Sequence, residues 1–268
     1  MFGIALSFTD FMPGIDVFHS PWIGLDNFQE LFRDAFFFRA LKNTIIISVM
    51  RVAICLPVAV IFAVLLNEIR SRTARTFIQS VSYIPFFISW VIVAIFFTTL
   101  LNPEYGVNSL LKQMGFPIIS MGDAGTFRWI IVIADLWKTC GYNAILFTAA
   151  IMGIDTTLYE AVTIDGGNRW HKIWYIVLPS LRVTVLVVFI LWIGTFVNYG
   201  FDQVFNMYNP GVYETGDILD TYIYRIAFSG SARYGLASAA GVVKGFVAML
   251  MIFAANKFSK KVSGYGII

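Results

Sequence analysis

Five stretches of this chain, roughly 43–66, 76–101, 128–153, 180–205 and 236–256, are almost unbroken apolar sequence. One helical crossing of a bilayer needs about 20 such residues. Backbone polar groups in lipid must be satisfied within the spanning segment or by a closed barrel. The stretches are too long and too uniformly apolar to be alternating barrel strands. The chain is therefore expected to fold as one all-α, polytopic transmembrane bundle over residues 1–268.

Composition supports this. Of 268 residues, 58% are hydrophobic and 13% charged, with mean hydropathy +0.75, against about 25% charged in an ordinary soluble domain. Such a chain cannot cover a globule with polar surface, which excludes a soluble enzyme, a disordered protein and a nucleic-acid binder. A sixth apolar stretch, Met1–Phe8 within a partial span over 1–12, is too short to cross. It reads as the second half of a truncated first span, from an internal start or a fragment; a short interfacial peptide is the alternative.

The polar residues exclude more. Cys55 and Cys140 lie in apolar runs and His19 and His171 are far apart, so no metal-ligand set is expected. There is no glycine-rich phosphate loop. No cofactor is expected on this chain, and any nucleotide it depends on is hydrolysed by another.

Charge orients the spans. Residues 67–75, 154–182 and the tail after 256 carry nine basic side chains against four acidic ones, net +5. The opposite side is net −4, and Arg51, Lys138, Lys244 and Asp135 lie within spans, net +2. The positive side, with the carboxyl terminus, is expected to be cytoplasmic in a multi-pass protein of the cell membrane. On the outer side, Asp26 and Gln29 form a capping-box pattern for a short helix. Residues 215–228 read as an amphipathic helix on the outer interface, with Asp217, Asp220 and Arg225 on its polar side; a loop packed on the bundle is the alternative.

The most informative segment is 155–179. Leu158, Ala161, Val162 and Ile164 form an apolar stripe, and Gly166-Gly167 permits a sharp reversal. Asn168 can cap a second helix, and Pro179 suits the first turn of the next span. Trp170, Ile173 and Trp174 are left in the cytoplasm, which calls for a partner surface.

These residues resemble the Glu-Ala-Ala loop of permease subunits in binding-protein-dependent ABC importers. Glu160, Ala161, Asp165, Gly166, Ile176, Leu178 and Pro179 match at the pattern's spacing, with Trp170 in its variable part. Val162 and Gly167 stand where the pattern has alanine. Trp22–Phe28 and Lys42-Asn43-Thr44 are similar to maltose-type sugar permeases. Ile84–Trp90, Leu136-Trp137-Lys138 and Asp217–Arg225 are similar to the branch for polysaccharide or aldouronate uptake. The resemblance implies a type I importer permease of six spans, the first truncated here, with the loop as the coupling helix that docks on an ATPase. It also implies a second homologous permease, two ATPase subunits carrying ATP-Mg, and an extracytoplasmic solute-binding lipoprotein that delivers a carbohydrate.

The substrate path is read from polar and aromatic residues within spans: Arg51, Ser89, Trp90, Trp137, Lys138, Tyr142, Asn143, Asn198 and Tyr199. Lys138 has two readings: it neutralises Asp135, three residues away on one helix, or with Arg51 it meets a carboxylate of an acidic oligosaccharide. Packing between helices is the competing role of the aromatic and amide residues. Lys244 is expected to face a partner permease or water. A secondary carrier would show ion-coordinating residues in repeated halves, and a membrane enzyme a cluster of His, Asp, Glu or Cys; the sequence shows neither. An importer for a non-sugar solute is the remaining alternative.

Overall fold

The structure is a computed structural model that describes residues 2–12, 14, 16, 19–196, 200–229 and 232–263. Its helices in chain order are α1 (Phe2–Leu6), α2 (Asp26–Leu31), α3 (Ala35–Glu68), α4 (Arg72–Tyr83), α5 (Trp90–Leu100), α6 (Val107–Gln113) and α7 (Ala124–Met152). They continue with α8 (Thr156–Ile164), α9 (Arg169–Lys172), α10 (Leu178–Phe196), α11 (Phe201–Met207), α12 (Tyr213–Gly216), α13 (Leu219–Phe228) and α14 (Tyr234–Ser263). Among the described residues there is no β-strand, only an isolated bridge between Thr9 and Trp22.

Among the described residues four helices are long and apolar enough to cross a membrane, Ala35–Glu68, Ala124–Met152, Arg169–Ile193 and Tyr234–Lys261, and the bent pair Arg72–Phe87 and Trp90–Leu100 makes a fifth if it counts as one span. The first begins well before residue 43. The Asp34 carboxylate accepts the Phe36 N–H at 2.8 Å, and Arg39 and Lys42 are good helix formers that an apolar window discards. The expected span 76–101 is interrupted: α4 tightens into a 3₁₀ turn at Ile84–Phe87 and stops before Trp90. Pro85 removes a backbone donor there. The expected span 180–205 also differs. Its helix starts upstream at Arg169 and reaches Phe196, and α11 is separate, opening at Gly200 with φ +125°. Residues 197–199, with Asn198 and Tyr199, lie outside the described residues.

The chain divides into two compact units. One holds residues 1–49, 90–131 and 194–251. Its core joins Leu31, Phe37 and Ala40 to Leu219 and Tyr222 of α13 and to Leu236, Ala239 and Ala240 of α14. The other holds residues 50–89, 132–193 and 252–268. Its core joins Leu56, Ala59, Ala63 and Val64 of α3 to Ala144, Phe147 and Ile151 of α7 and to Val177, Leu181 and Val188.

Two expectations for the first unit are corrected. The helix at 26–31 is capped from Leu25, with no side-chain cap bond, and Asp26 is already helical. Residues 213–228 form two helices rather than one interfacial amphipath, and the expected polar side is internal: Asp217 is 2% exposed and held by Arg225. Likewise Lys244 pairs with Asp220 at 2.5 Å within this unit. A charge in an apolar setting costs least when a partner carboxylate lies within reach.

Candidate functional site

The segment 155–179 is built from local rules. The Asp155 carboxylate accepts the Thr157 N–H at 2.9 Å and opens α8. That hydrogen bond holds its carboxyl below the usual range. The helix closes as the Gly166 N–H donates to the Thr163 carbonyl at 3.1 Å and the Gly167 N–H to that of Val162 at 2.8 Å. This is a Schellman ending, with Gly166 at φ +77°. Asn168 then accepts the His171 N–H at 3.1 Å, while its own N–H donates to His171 Nδ1 at 3.1 Å.

From Arg169 the backbone passes through α9 and a π turn at Ile173–Val177 into α10. Pro179 lies in the first turn of α10, as expected, but that helix is continuous with the π turn before it. A proline there cannot donate to the Tyr175 carbonyl and needs room beside it. The widened turn, in which the Leu178 N–H reaches back to Ile173, supplies that room.

One side of the segment is anchored and the other is bare. Ile176 and Val177 are buried, and Tyr159 and Ile173 pack on the core of their unit. Burial pushes the Tyr159 phenol up, with Glu68 adding to the shift. Glu160, Ala161, Asp165 and Pro179 are exposed, and Leu178 is half-buried. Ile164 is 86% exposed and Trp170 68%, with Trp174 and Tyr175 also outward. The two departures from the loop pattern touch: a Cβ on Gly167 would overlap Val162 Cγ1. A larger residue at 162 is matched by a smaller one at 167.

In the same unit the candidate path residues are distributed over different tasks. Arg51 and Asp135, both buried, form an ion pair with Nε and Oδ2 3.7 Å apart. Asp135 is thus paired with Arg51 of α3. The Lys138 ammonium donates to the carbonyls of Pro85 at 3.2 Å, Phe86 at 2.7 Å and Ile88. Tyr142 stacks on Phe86 with centroids 3.8 Å apart and remains 45% exposed. Trp137 and Ser89 are exposed and Asn143 is half-buried; Trp90, half-buried, belongs to the other unit. The structure therefore gathers Lys138 and Tyr142 at one helix break and leaves Trp137 outward.

Sequence reasoning missed a polar network in the first unit. Asn43 donates to the carbonyls of Glu214 and Asp217, each at 3.0 Å, and accepts from Arg128 at 2.7 Å. Thr44 Oγ1 accepts the Leu219 N–H at 2.9 Å. The Arg225 guanidinium meets both Asp217 oxygens, at 3.0 and 2.6 Å, and the Tyr222 hydroxyl donates to Asp34 at 2.6 Å. Lys42-Asn43-Thr44 and Asp217–Arg225, separate motifs in sequence, are thus one structure. Their resemblance to one permease family was the available signal.

A model of the family described as "Binding-protein-dependent transport system inner membrane component" matches residues 55–205. The protein LplB of Bacillus subtilis is 37% identical, over 100% of this chain and 84% of its own length. The polygalacturonan/rhamnogalacturonan transport system permease protein YteP, also of Bacillus subtilis, is 35% identical over the same shares. Among solved structures, a bacterial ABC transporter involved in import of the acidic polysaccharide alginate matches with a TM-score of 0.87 and 35% identity. That match covers 97% of this chain and 88% of the other. A bacterial alginate ABC transporter in complex with an alginate pentasaccharide-bound periplasmic protein matches with a TM-score of 0.85 and 36% identity, over 91% and 85% of the two chains.

Proposed function

The chain belongs to the family of binding-protein-dependent transport system inner membrane components, and from that premise we propose that it carries an acidic oligosaccharide across the membrane. It is a multi-pass permease of an ABC importer for carbohydrate, a transport subunit whose ATPase activity resides in separate subunits. It works with a binding protein that presents the solute and with those ATPases. The geometry that carries this role is the exposed helix, Schellman turn and helix from Thr156 to Lys172, anchored on one side by Tyr159, Ile173 and Val177. An apolar surface of that kind needs a groove to cover it, and the Glu160-to-Pro179 pattern points to a groove on an ATPase.

A second, similar permease completes the pathway, and the two permeases move between inward-facing and outward-facing packings as the ATPase pair, carrying ATP-Mg, closes and opens. The docking segment and the carboxyl terminus face the cytoplasm, as the excess of basic residues on that side favours. The acidic character of the substrate is supported by the polygalacturonan/rhamnogalacturonan that YteP is named for and the alginate of the alginate importers.

The test is uptake by vesicles containing the assembled importer, supplied with loaded binding protein and internal ATP. A uronate oligosaccharide should enter in preference to an uncharged one of equal length. Equal uptake of both would refute the acidic assignment while leaving carbohydrate import standing.

A further inference from the structure

We propose that Lys138 is a positioning residue: it caps the broken end of α4 from across the bundle and ties that break to the docking segment.

A helix that stops inside an apolar stretch leaves carbonyls without partners, and lipid offers no water to satisfy them. Here the carbonyls of Pro85, Phe86 and Ile88 converge on one ammonium. Lysine carries three N–H donors and no acceptor, which matches three carbonyls, and its charge suits the negative end of a helix dipole. Lys138 is only 6% exposed, so its ammonium is held inside the protein beside these carbonyls.

Two further contacts come from the same face of α7, at three and four residues along. At Gly141 the Ser82 backbone comes so close that a Cβ would overlap it. At Tyr142 the ring stacks on Phe86, 5° from parallel. Three contacts within two turns make a rigid joint rather than a sliding one. The same helix then continues through Ala144, Phe147 and Ile151 into the core shared with Tyr159, Ile173, Val177 and Leu181. A displacement of the docking segment therefore reaches the break through one packed rod, and packed cores move as units.

This inference rests on the importer reading and names the joint that reading lacks. Its test uses the assembled importer and reads oligosaccharide taken up per ATP hydrolysed, per assembled complex. Lys138→Met should lower that ratio about tenfold, the scale expected when a link in a coupling network is removed. Lys138→Arg keeps the charge but cannot converge three donors on one point, and should lower the ratio by a smaller factor. If Lys138→Met does not assemble, the Arg variant decides. Wild-type ratios in the variants that assemble would overturn the proposal, and so would failure of both to assemble, which would make Lys138 a folding residue only. The wild-type complex separates the two readings. If it hydrolyses ATP but takes up none of the sugars, the substrate assignment fails, and stimulation of hydrolysis by loaded binding protein becomes the readout for Lys138.

Discussion

Arg51 and Asp135 show what a charge inside an apolar span requires. They come from helices α3 and α7, 84 positions apart in sequence, and meet at 3.7 Å with both side chains buried. Removing one partner takes the ion pair from the other buried charge, a change that costs about 3–5 kcal/mol in comparable buried pairs. Asp135→Leu should therefore lower the thermal midpoint of the purified complex sharply. The double change Arg51→Met with Asp135→Leu should recover much of the loss, because an apolar pair suits this setting. A double variant as unstable as the single one would assign the pair a role beyond mutual neutralisation. The Asp217–Arg225 pair makes a related point about geometry. Both guanidinium nitrogens engage both carboxylate oxygens, which lysine cannot reproduce. Arg225→Lys should thus behave as a destabilising change, read as reduced resistance to proteolysis of residues 213–228.

At the scale of elements, α8 and the turn after it are specified by local chemistry. Gly166 adopts a positive φ with nothing within 4 Å of a built Cβ; the constraint on it is backbone conformation, not space. Gly166→Val should uncouple ATP hydrolysis from uptake, whereas Gly166→Asn should retain most coupling, since asparagine tolerates this region. Normal coupling in the valine variant would show that the turn does not position the docking helix. Gly167 is constrained by space instead, against Val162. Gly167→Ala alone should reduce uptake, and adding Val162→Ala should restore only part of it, because the new Cβ still overlaps the Val162 carbonyl; equal loss in both would show that the side chain at 162 does not matter. The Asp155 cap has a defined pH dependence. Its folded-state carboxyl is held low by the Thr157 N–H, so the stabilisation is complete above the usual carboxylate range and is lost as pH falls through the lowered value. At neutral pH, Asp155→Asn should leave uptake unchanged, as asparagine also caps, and Asp155→Ala should diminish it.

At the scale of the whole molecule, the charge asymmetry predicts that a fluorescent reporter fused after Lys261 remains in the cytoplasm and emits. A periplasmic phosphatase fused at the same point should be inactive; the reverse pattern would invert the topology. Membrane residence, helical class and the importer-permease family were all legible in the sequence by itself. Each depends on composition or on spacings of less than about two dozen residues, where a helix's own period and its caps govern. The ends of the elements and the partners of the charges were not legible. Arg39 and Lys42 do not interrupt α3, because their helix propensity is satisfied whatever their polarity. The helix that carries Pro179 starts earlier, at Arg169, because a π turn upstream makes room for the ring. Asp135 meets Arg51, 84 positions away, and Lys138 takes the carbonyls of a break about 50 residues away. These outcomes were decided only by tertiary structure. Burying a polar group is costly unless it finds a partner, and which partner is in reach depends on how distant helices pack.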